Sequence, residues 1–212
     1  MRILLGHHIE SDGVRRRRTF LLGPLPRFSI RRGRMISIRR LQPADWRSYR
    51  DLRLRALREA PDAFGSTHDA EAARPDALWA ARLAEAAASA HECPLWAWHG
   101  PQPCGLVWAR LPADEPRIAQ LFQMWVDPQS RGLGVGRALL DAAVAWARRA
   151  EAKWVCLDVS TSQTAALSLY RVCGFKEEGA LHPLREGSAV MVQPMRLDLA
   201  PAAPLAPARG PD

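Results

Sequence analysis

The chain has 212 residues, of which 48% are apolar and 25% charged. This is the composition of an ordinary globular protein, and it excludes a fibrous or wholly disordered one. At this length we expect one domain with a sizeable core. No segment approaches the roughly 20 uninterrupted apolar residues that a membrane-spanning helix needs, since the longest candidate, residues 138–147, is interrupted by Asp141.

The formal net charge of +8 is concentrated at one end of the chain. Nine of the 30 basic residues but only two of the 22 acidic residues fall within residues 1–34. The remaining 21 basic and 20 acidic groups leave the rest of the chain close to neutral. A basic groove on the domain is therefore not indicated, and we expect neither nucleic acid nor a membrane as a partner.

Residues 1–34 are predicted to be a basic extension outside the folded domain, because Arg15 to Arg18 form a charge block and prolines and glycines interrupt any periodicity. Three interpretations are open. The first is a twin-arginine export signal, although the apolar segment that should follow ends early, at Pro24. The second is an arm that binds nucleic acid or a membrane surface. The third, which we favour, is an assigned start that lies too early, with translation beginning at Met35.

The four cysteines lie far apart and form neither a Cys-x-x-Cys pair nor a zinc-binding spacing, so no metal is expected. Cys93 and Cys104 are close enough in sequence to meet across a hairpin, but we expect reduced thiols rather than a disulfide. A reducing cytoplasm is accordingly the expected compartment.

From Met35 onward the sequence predicts a domain over residues 35–199, and the Pro- and Ala-rich residues 200–212 are predicted to be a disordered tail. In chain order the apolar periodicities predict a strand at 36–39, helices at about 43–60 and 76–90, strands at 95–99, 105–111 and 118–126, a helix at 134–150, a strand at 154–159, a helix at 164–173, and strands at 175–178 and 189–197. The short connections among the strands before residue 126 predict an antiparallel meander.

The segment Arg131-Gly132-Leu133-Gly134-Val135-Gly136 joins a predicted strand to a predicted helix. Glycines at a helix start let the backbone approach an anion closely and direct its N–H groups toward it. The segment therefore predicts a phosphate or pyrophosphate site, the alternative being a glycine-rich turn that only starts a helix. It is not a Walker loop, because no Gly-Lys-Ser/Thr follows, and its glycines do not fit the Gly-x-Gly-x-x-Gly spacing of dinucleotide sites.

Two motifs together point to a family. Arg131-x-x-Gly134-x-Gly136, placed after Val126-Asp127-Pro128, resembles the acetyl-CoA signature of the GNAT acetyltransferases, [Gln/Arg]-x-x-Gly-x-[Gly/Ala]. The segment from Leu157 to Phe175 resembles the family's second block, a strand, a turn and an Ala-Leu-x-Leu-Tyr helix that ends before Gly-Phe. The resemblance implies the GNAT fold, an α/β structure with flanking helices and a mixed, twisted sheet of about seven strands, in which strands 4 and 5 splay apart.

The resemblance also implies an activity, the direct transfer of an acetyl group from acetyl-CoA to a primary amine. A small-molecule amine is favoured as the acceptor. A protein N-terminus or lysine, and a CoA-binding regulatory module without catalysis, are the alternatives, and a homodimer is left open. Tyr170 would protonate the departing CoA thiolate. The residues implied to contact acetyl-CoA are Met124, Trp125, Val126, Arg131, Gly132, Leu133, Gly134, Val135, Gly136, Arg137, Ser160, Gln163 and Tyr170.

The chain departs from the family pattern at two places. The turn of the second block, where the family often has Asn, carries Ser160 and Gln163, whose side chains can still form hydrogen bonds. The strand that bears the base in relatives has no carboxylate, which leaves water, His99 or Glu115 as the proton acceptor. The acceptor site is expected between the first two helices, and the side chains predicted to line it are Asp62, Phe64, Ser66 and Trp79. A tight Pro-Asp turn with Phe64 in the core is the alternative interpretation there.

Overall fold

The computed structural model describes residues 36–199. The predicted extension at 1–34 and the predicted tail at 200–212 lie outside the described residues. The strands are β1 (Ile36–Arg40), β2 (Glu92–His99), β3 (Gln102–Arg110), β4 (Ile118–Val126), β5 (Trp154–Ser160), β6 (Lys176–Glu177), β7 (His182–Pro183) and β8 (Met191–Asp198). The helices are α1 (Trp46–Glu59), α2 (His68–Ala72), α3 (Asp76–Ala88), α4 (Val135–Arg149) and α5 (Thr164–Val172).

The strands form one mixed sheet in the order β1-β2-β3-β4-β5-β8-β6, and β7 pairs with β8 beside β6. The first four strands form the predicted antiparallel meander, β4 and β5 run parallel, and the remaining pairs are antiparallel. The expected α/β fold is confirmed, with eight strands in the described chain rather than about seven. Strand β7 was not predicted because two residues, His182 and Pro183, are too few to show a period.

Alternating side chains on the strands give the sheet two different faces. One face packs against α4 and α5 through mostly aliphatic side chains, among them Leu95, Val107, Leu121, Val155, Leu157 and Val159. The other face packs against α1 and α3 in a layer rich in aromatic rings, to which the strands contribute Trp96, Trp108 and Trp125 and the helices Tyr49 and Trp79. Residues one apart in a strand point to opposite faces, so the same strands serve both layers.

Strands β4 and β5 pair over three residues only. The paired residues are Ile118 with Trp154, Ala119 with Val155, and Gln120 with Cys156. Beyond them both strands continue unpaired with each other, to residues 126 and 160. The expected splay of the fourth and fifth strands is therefore confirmed, and it opens at the ends from which α4 and α5 begin.

A bulge accompanies the opening. Leu106 faces Trp125 while Trp108 faces Phe122, so one residue of β3 lies opposite two residues of β4. Gln123, inside the bulge, has a φ of 56°, a left-handed conformation that few non-glycine residues adopt. Local strain of this kind persists only where the surrounding packing enforces it, and it is common beside functional sites.

Candidate active site

The open ends of β4 and β5 leave backbone groups of β4 without a strand partner. From residue 121 onward, the edge of β4 that faces β5 has no pairing with it. An edge of unpaired N–H and C=O groups can accept an extended ligand as an additional strand. Met124 and Val126, two of the predicted contact residues, lie on this edge and are half-buried.

The loop that follows β4 ends at the start of α4 with an exposed backbone. Gly132 and Gly134 have φ angles of 75° and 85°, and a Cβ atom added to either would meet nothing within 4 Å. The first hydrogen bond of this helix end runs from the Ala138 N–H to the Gly134 carbonyl (3.0 Å). The N–H groups before Ala138 therefore have no partner in the preceding turn, which is the arrangement that binds phosphate at helix starts.

The third glycine of the motif has a different role from the first two. A Cβ on Gly136 would lie 3.1 Å from Leu169 of α5, 3.6 Å from Val126 and 3.8 Å from Met124. Gly136 therefore allows α4, α5 and the end of β4 to approach each other. Val135, beside it, is buried in the aliphatic core with 1% exposure, so the side chain of Val135 contributes packing and only its backbone faces the loop.

The two arginines of the motif are both engaged with carboxylates. Arg131 forms an ion pair with Glu59 of α1 (2.7 Å) and donates its Nε–H to the Val126 carbonyl (3.1 Å). Arg137 donates its Nε–H to the carboxylate of Asp141 (2.9 Å) one turn later in α4. The open ends of β4 and β5 leave a gap between the two strands. Both arginine side chains are about half exposed near this gap, and both are already paired with a carboxylate.

Tyr170 is almost completely buried on α5, with 5% exposure. Its ring packs 5.7 Å from the ring of Phe175, in the same aliphatic core as Val135. Burial raises the pKa of Tyr170 far above its ordinary value, with a smaller contribution from Cys173 nearby. The phenol therefore stays protonated at neutral pH.

The turn after β5 lies at the same end of the sheet. The buried Ser160 hydroxyl hydrogen-bonds to that of Ser162 (2.9 Å), and the Gln163 N–H donates to the Ser160 carbonyl (2.9 Å). Gln163 precedes the first turn of α5. The side chain of Trp125, by contrast, points to the aromatic face, where its indole N–H donates to Glu59 (2.8 Å), so only its backbone borders the gap.

Comparison with known proteins identifies the architecture. The chain matches the Acetyltransferase (GNAT) family over residues 46–175, which is more than half of its length. The chain belongs to the GNAT acetyltransferase family. The splayed strands β4 and β5, the loop from Arg131 to Gly134, which we call the phosphate loop after its proposed ligand, and Tyr170 all lie within the matched residues.

A mycothiol acetyltransferase of Geodermatophilus obscurus is 37% identical over 83 residues, which cover 37% of this chain and 27% of that relative. The alignment therefore spans less than a third of the relative's length. Among solved structures, a GNAT acetyltransferase from Streptococcus pneumoniae superposes with a TM-score of 0.66 at 24% identity, over 77% of this chain and 99% of that one. A spermidine N-acetyltransferase from Vibrio cholerae, in complex with CoA and spermine, gives 0.64 at 20% identity, over 77% and 95%.

Two of the residues predicted to line the acceptor site, Phe64 and Trp79, lie in the core, and for Phe64 the alternative interpretation, a tight Pro-Asp turn with its ring in the core, is confirmed. Phe64 and Trp79 are 5% and 3% exposed, and both pack in the aromatic core. The guanidinium of Arg53 lies 4.4 Å from the Phe64 ring centre, so that face of the ring is already covered. Neither side chain is available to an acceptor. Asp62 is exposed and Ser66 half-buried in the segment between α1 and α2.

A carboxylate that the sequence analysis passed over lies on β5. Asp158 lies two residues beyond Cys156, the last residue paired with β4, and its side chain points away from α4 and α5, because Leu157 and Val159 occupy that face. Its carboxylate lies 3.5 Å from the Nε2 of His182 on β7. Partial desolvation raises the pKa of Asp158 above its ordinary value, although its side chain is 36% exposed, and His182 only partly offsets this. Period-2 alternation along residues 155–159 was the signal that could have identified it.

The two bases named from sequence lie elsewhere. His99, on β2, pairs with Gln102 and Ile36 and lies two strands away from β4. Glu115 precedes β4, at the end where β4 and β5 are still paired. Within residues 36–199 no cluster of three or more His, Cys, Asp or Glu is arranged to hold a metal ion, and no helix there has the length and apolarity required to span a membrane.

Proposed function

We propose that this protein is an acetyl-CoA-dependent N-acetyltransferase that transfers the acetyl group directly to a primary amine. The observation that carries the proposal is the continuity of two backbone surfaces. The unpaired edge of β4 is joined by one short turn, Pro128–Ser130, to a loop whose glycines expose its N–H groups at the start of α4. Together these surfaces suit an extended amide-containing arm that ends in a pyrophosphate.

The donor fits these residues as follows. The amides of the pantetheine arm pair with backbone groups of Met124 and Val126, and the N–H groups of residues 132–137 hold the pyrophosphate. Ser160 and Gln163 bound the opposite side of the arm. The open space around Gly132 and Gly134 is what such a ligand requires, since no protein atom occupies it. The dipole of α4 adds up to about 2 kcal/mol for an anion at this end.

Tyr170 supplies the proton for the leaving group. As the amine nitrogen bonds to the thioester carbon and the C–S bond breaks, charge collects on the sulfur, and the phenol proton moves to it. Burial keeps Tyr170 protonated until that moment. The same burial makes the phenol a weaker acid than a thiol in water, whose pKa is about 8.5. The proton transfer from Tyr170 therefore accompanies the development of charge on the sulfur and does not precede it.

Asp158 takes the proton that the amine loses, directly or through one water molecule. Its raised pKa makes it a better base than an ordinary surface carboxylate. Its position on β5, two residues beyond the pair of Gln120 with Cys156, provides the negative charge that Gln120 and Gln123 lack. The ring of His182, 3.5 Å away, lies beside the carboxylate, and the exposed Asp62 adds negative charge near the approach of a cationic amine.

The loops around the acceptor side favour a small molecule. Arg185 donates to the Phe64 carbonyl (3.2 Å), which joins the segment after β7 to the segment after α1. Gly65 also approaches the Leu184 carbonyl, with 3.7 Å to an added Cβ. Two loops in contact leave a narrower entrance than a flat protein surface would need. A protein N-terminus or lysine is the second candidate acceptor.

The test is a thiol-release assay with acetyl-CoA over a panel of small amines and short peptides, with the products identified by mass. We expect one small amine to give steady thiol release and an equal amount of acetylated product. Acetylation of peptides alone would transfer the assignment to a protein acceptor. Tight CoA binding without release for any amine would favour a regulatory module instead.

The compartment belongs to the same proposal. Cys93, Cys104, Cys156 and Cys173 are all free thiols, and burial raises the pKa of Cys93 and of Cys156 to about 11. Free thiols suit a reducing environment, and we propose that the protein acts in the cytoplasm.

A further inference from the structure

The last turn of α1 lies against the segment that leads from β4 into the phosphate loop. Glu59, the final residue of α1, accepts a hydrogen bond from the Trp125 indole (2.8 Å) and an ion pair from Arg131 (2.7 Å). Arg131 in turn donates to the Val126 carbonyl (3.1 Å). One carboxylate on an acceptor-side helix thus joins the end of β4 to the first residue of the phosphate loop.

A second ion pair lies one helical turn earlier in α1. In this pair the basic residue is on α1 and the acidic residue follows β4. Arg55 of α1 pairs with Asp127 (2.9 Å), and its guanidinium lies 5.4 Å from the centre of the Trp125 ring. Asp127 also accepts the Gln129 N–H (2.9 Å) at the start of the turn. The two pairs are four residues apart both on α1 and on the loop, so together they fix the register of one against the other. We call Arg55, Glu59, Trp125, Asp127 and Arg131 the loop clamp.

The phosphate loop has little else to hold it. All four residues from Arg131 to Gly134 are exposed, and the buried chain resumes only at Val135. Glycines cost more backbone entropy to order than any other residue, so a loop containing two of them at positive φ needs external restraint. The contacts of the Arg131 side chain supply that restraint at the point where the loop begins.

We propose that Glu59 is a positioning residue for the donor site, which acts through Arg131 to hold the phosphate loop in its anion-binding conformation. The inference rests on the proposed function, because it assumes that the loop binds the pyrophosphate of CoA. In the proposed arrangement Glu59 acts only through Trp125 and Arg131, the two residues that its carboxylate contacts. Its carboxylate is suited to the role at any physiological pH: burial alone would raise its pKa, but the hydrogen bonds from Trp125 and Arg131 outweigh burial and hold the pKa below its ordinary value.

The test compares two acetyl donors in the variant Glu59→Gln. Acetyl-CoA carries the pyrophosphate and acetylpantetheine does not, so only the first depends on the loop. We expect kcat/KM for acetyl-CoA to fall about fivefold, the equivalent of about 1 kcal/mol for a partly exposed ion pair. For acetylpantetheine kcat/KM should be unchanged. The matched control is Asp76→Asn, which breaks the Arg50–Asp76 ion pair (3.0 Å) between α1 and α3 and should alter neither value.

A double variant with Arg131→Gln adds a second readout. If Glu59 acts through Arg131, the double variant should lose no more activity with acetyl-CoA than Arg131→Gln alone. Equal losses with both donors, or no loss with acetyl-CoA, would overturn the inference while leaving the proposed function intact. Failure of the wild-type protein to bind CoA or to release thiol from acetyl-CoA would instead overturn the proposed function.

Discussion

The proposed donor and acceptor sides of the gap between β4 and β5 present different chemical groups, backbone on one side and side chains on the other. On the proposed donor side, the groups open to a ligand are backbone: the unpaired edge of β4 and the N–H groups exposed by Gly132 and Gly134. On the acceptor side they are side chains brought together from distant parts of the chain, such as Asp158 with His182, or Arg185 with the Phe64 carbonyl. A backbone site depends on conformation at a few positions, whereas a side-chain site depends on long-range packing.

The difference has a direct consequence for how each side fails. Strain or bulk in the phosphate loop should abolish donor binding and leave the fold intact. Loss of a buried contact on the acceptor side should first destabilise the fold, because that side rests on pairs such as Arg53–Glu71, whose side chains are 3% and 2% exposed. The folded fraction of such a variant should still bind the donor as tightly as the wild type does.

The largest effect is expected for Gly134→Val. Valine disfavours the φ of 85° found at this position, and its side chain would occupy the space open to the phosphate. Loss of two hydrogen bonds to a charged group, at about 1.5–3 kcal/mol each, predicts about 10³-fold weaker CoA binding by calorimetry. The control is Gly100→Val in the β2–β3 turn, where φ is 63° and an added Cβ also meets nothing within 4 Å. Equal affinities in the two variants would contradict a backbone donor site.

Tyr170→Phe should reduce turnover without weakening CoA binding. General acids contribute about 10²–10⁴-fold, and we expect a loss of about 10³-fold in kcat. The comparison is Tyr49→Phe, the other tyrosine of the chain. Tyr49 is also buried, and burial raises its pKa to about 12. Tyr49 lies on α1, however, and its hydroxyl donates a hydrogen bond to Gln123 (2.8 Å). If Tyr170→Phe retained wild-type turnover, the acid role would be refuted.

Glu71→Gln tests the acceptor side through stability. Arg53 donates two hydrogen bonds to Glu71 (3.1 and 2.9 Å) from inside the core. Removing one partner of a buried ion pair leaves the other charge uncompensated, so the free energy of unfolding in urea should fall by about 3 kcal/mol. Asp76→Asn, which breaks an exposed pair, should cost about 1 kcal/mol or less. CoA affinity of the folded variant should equal that of the wild type, and a parallel loss of affinity would show that the two sides are not separable.

Asp158→Asn should lower kcat/KM at neutral pH by about 10²-fold, the lower end for a general base because water can partly replace it. Asp158 accepts a proton only when ionised, so activity is lost as pH falls through its pKa. Burial raises that pKa, which places the acidic limb of the pH profile above the ordinary carboxyl value of about 3.9. The limb due to Asp158 should be absent from the variant. Asp198→Asn, which breaks an exposed pair with Arg196 (3.1 Å), is the control and should keep the wild-type profile.

The same contrast explains what could be predicted from the sequence. The phosphate loop is local: Gly132, Gly134 and Gly136 occupy alternate positions of one short segment. The role proposed for Gly132 and Gly134 depends on backbone conformation and that of Gly136 on the absence of a side chain, so a motif can identify them. The helix and strand periods likewise predicted α4 and the whole of β4, because each has one buried face.

The residues of the acceptor side could not be predicted from local sequence patterns. Whether Phe64 lines a site or fills the core depends on Arg53, which lies over its ring, and no local pattern encodes that contact. The attachment of Arg131 to Glu59 spans 72 residues, and the bulge at Gln123 depends on register with β3. Side-chain pairing over such distances is decided by tertiary packing, which one sequence does not reveal.

The most direct test of the account is a crystal structure of the protein with CoA. We expect the pyrophosphate oxygens within about 3 Å of the N–H groups of residues 132–137, and the pantetheine amides paired with the open edge of β4 at Met124 and Val126. The sulfur should face the Tyr170 hydroxyl. CoA bound outside the gap between β4 and β5, or a pyrophosphate held by side chains alone, would contradict the account.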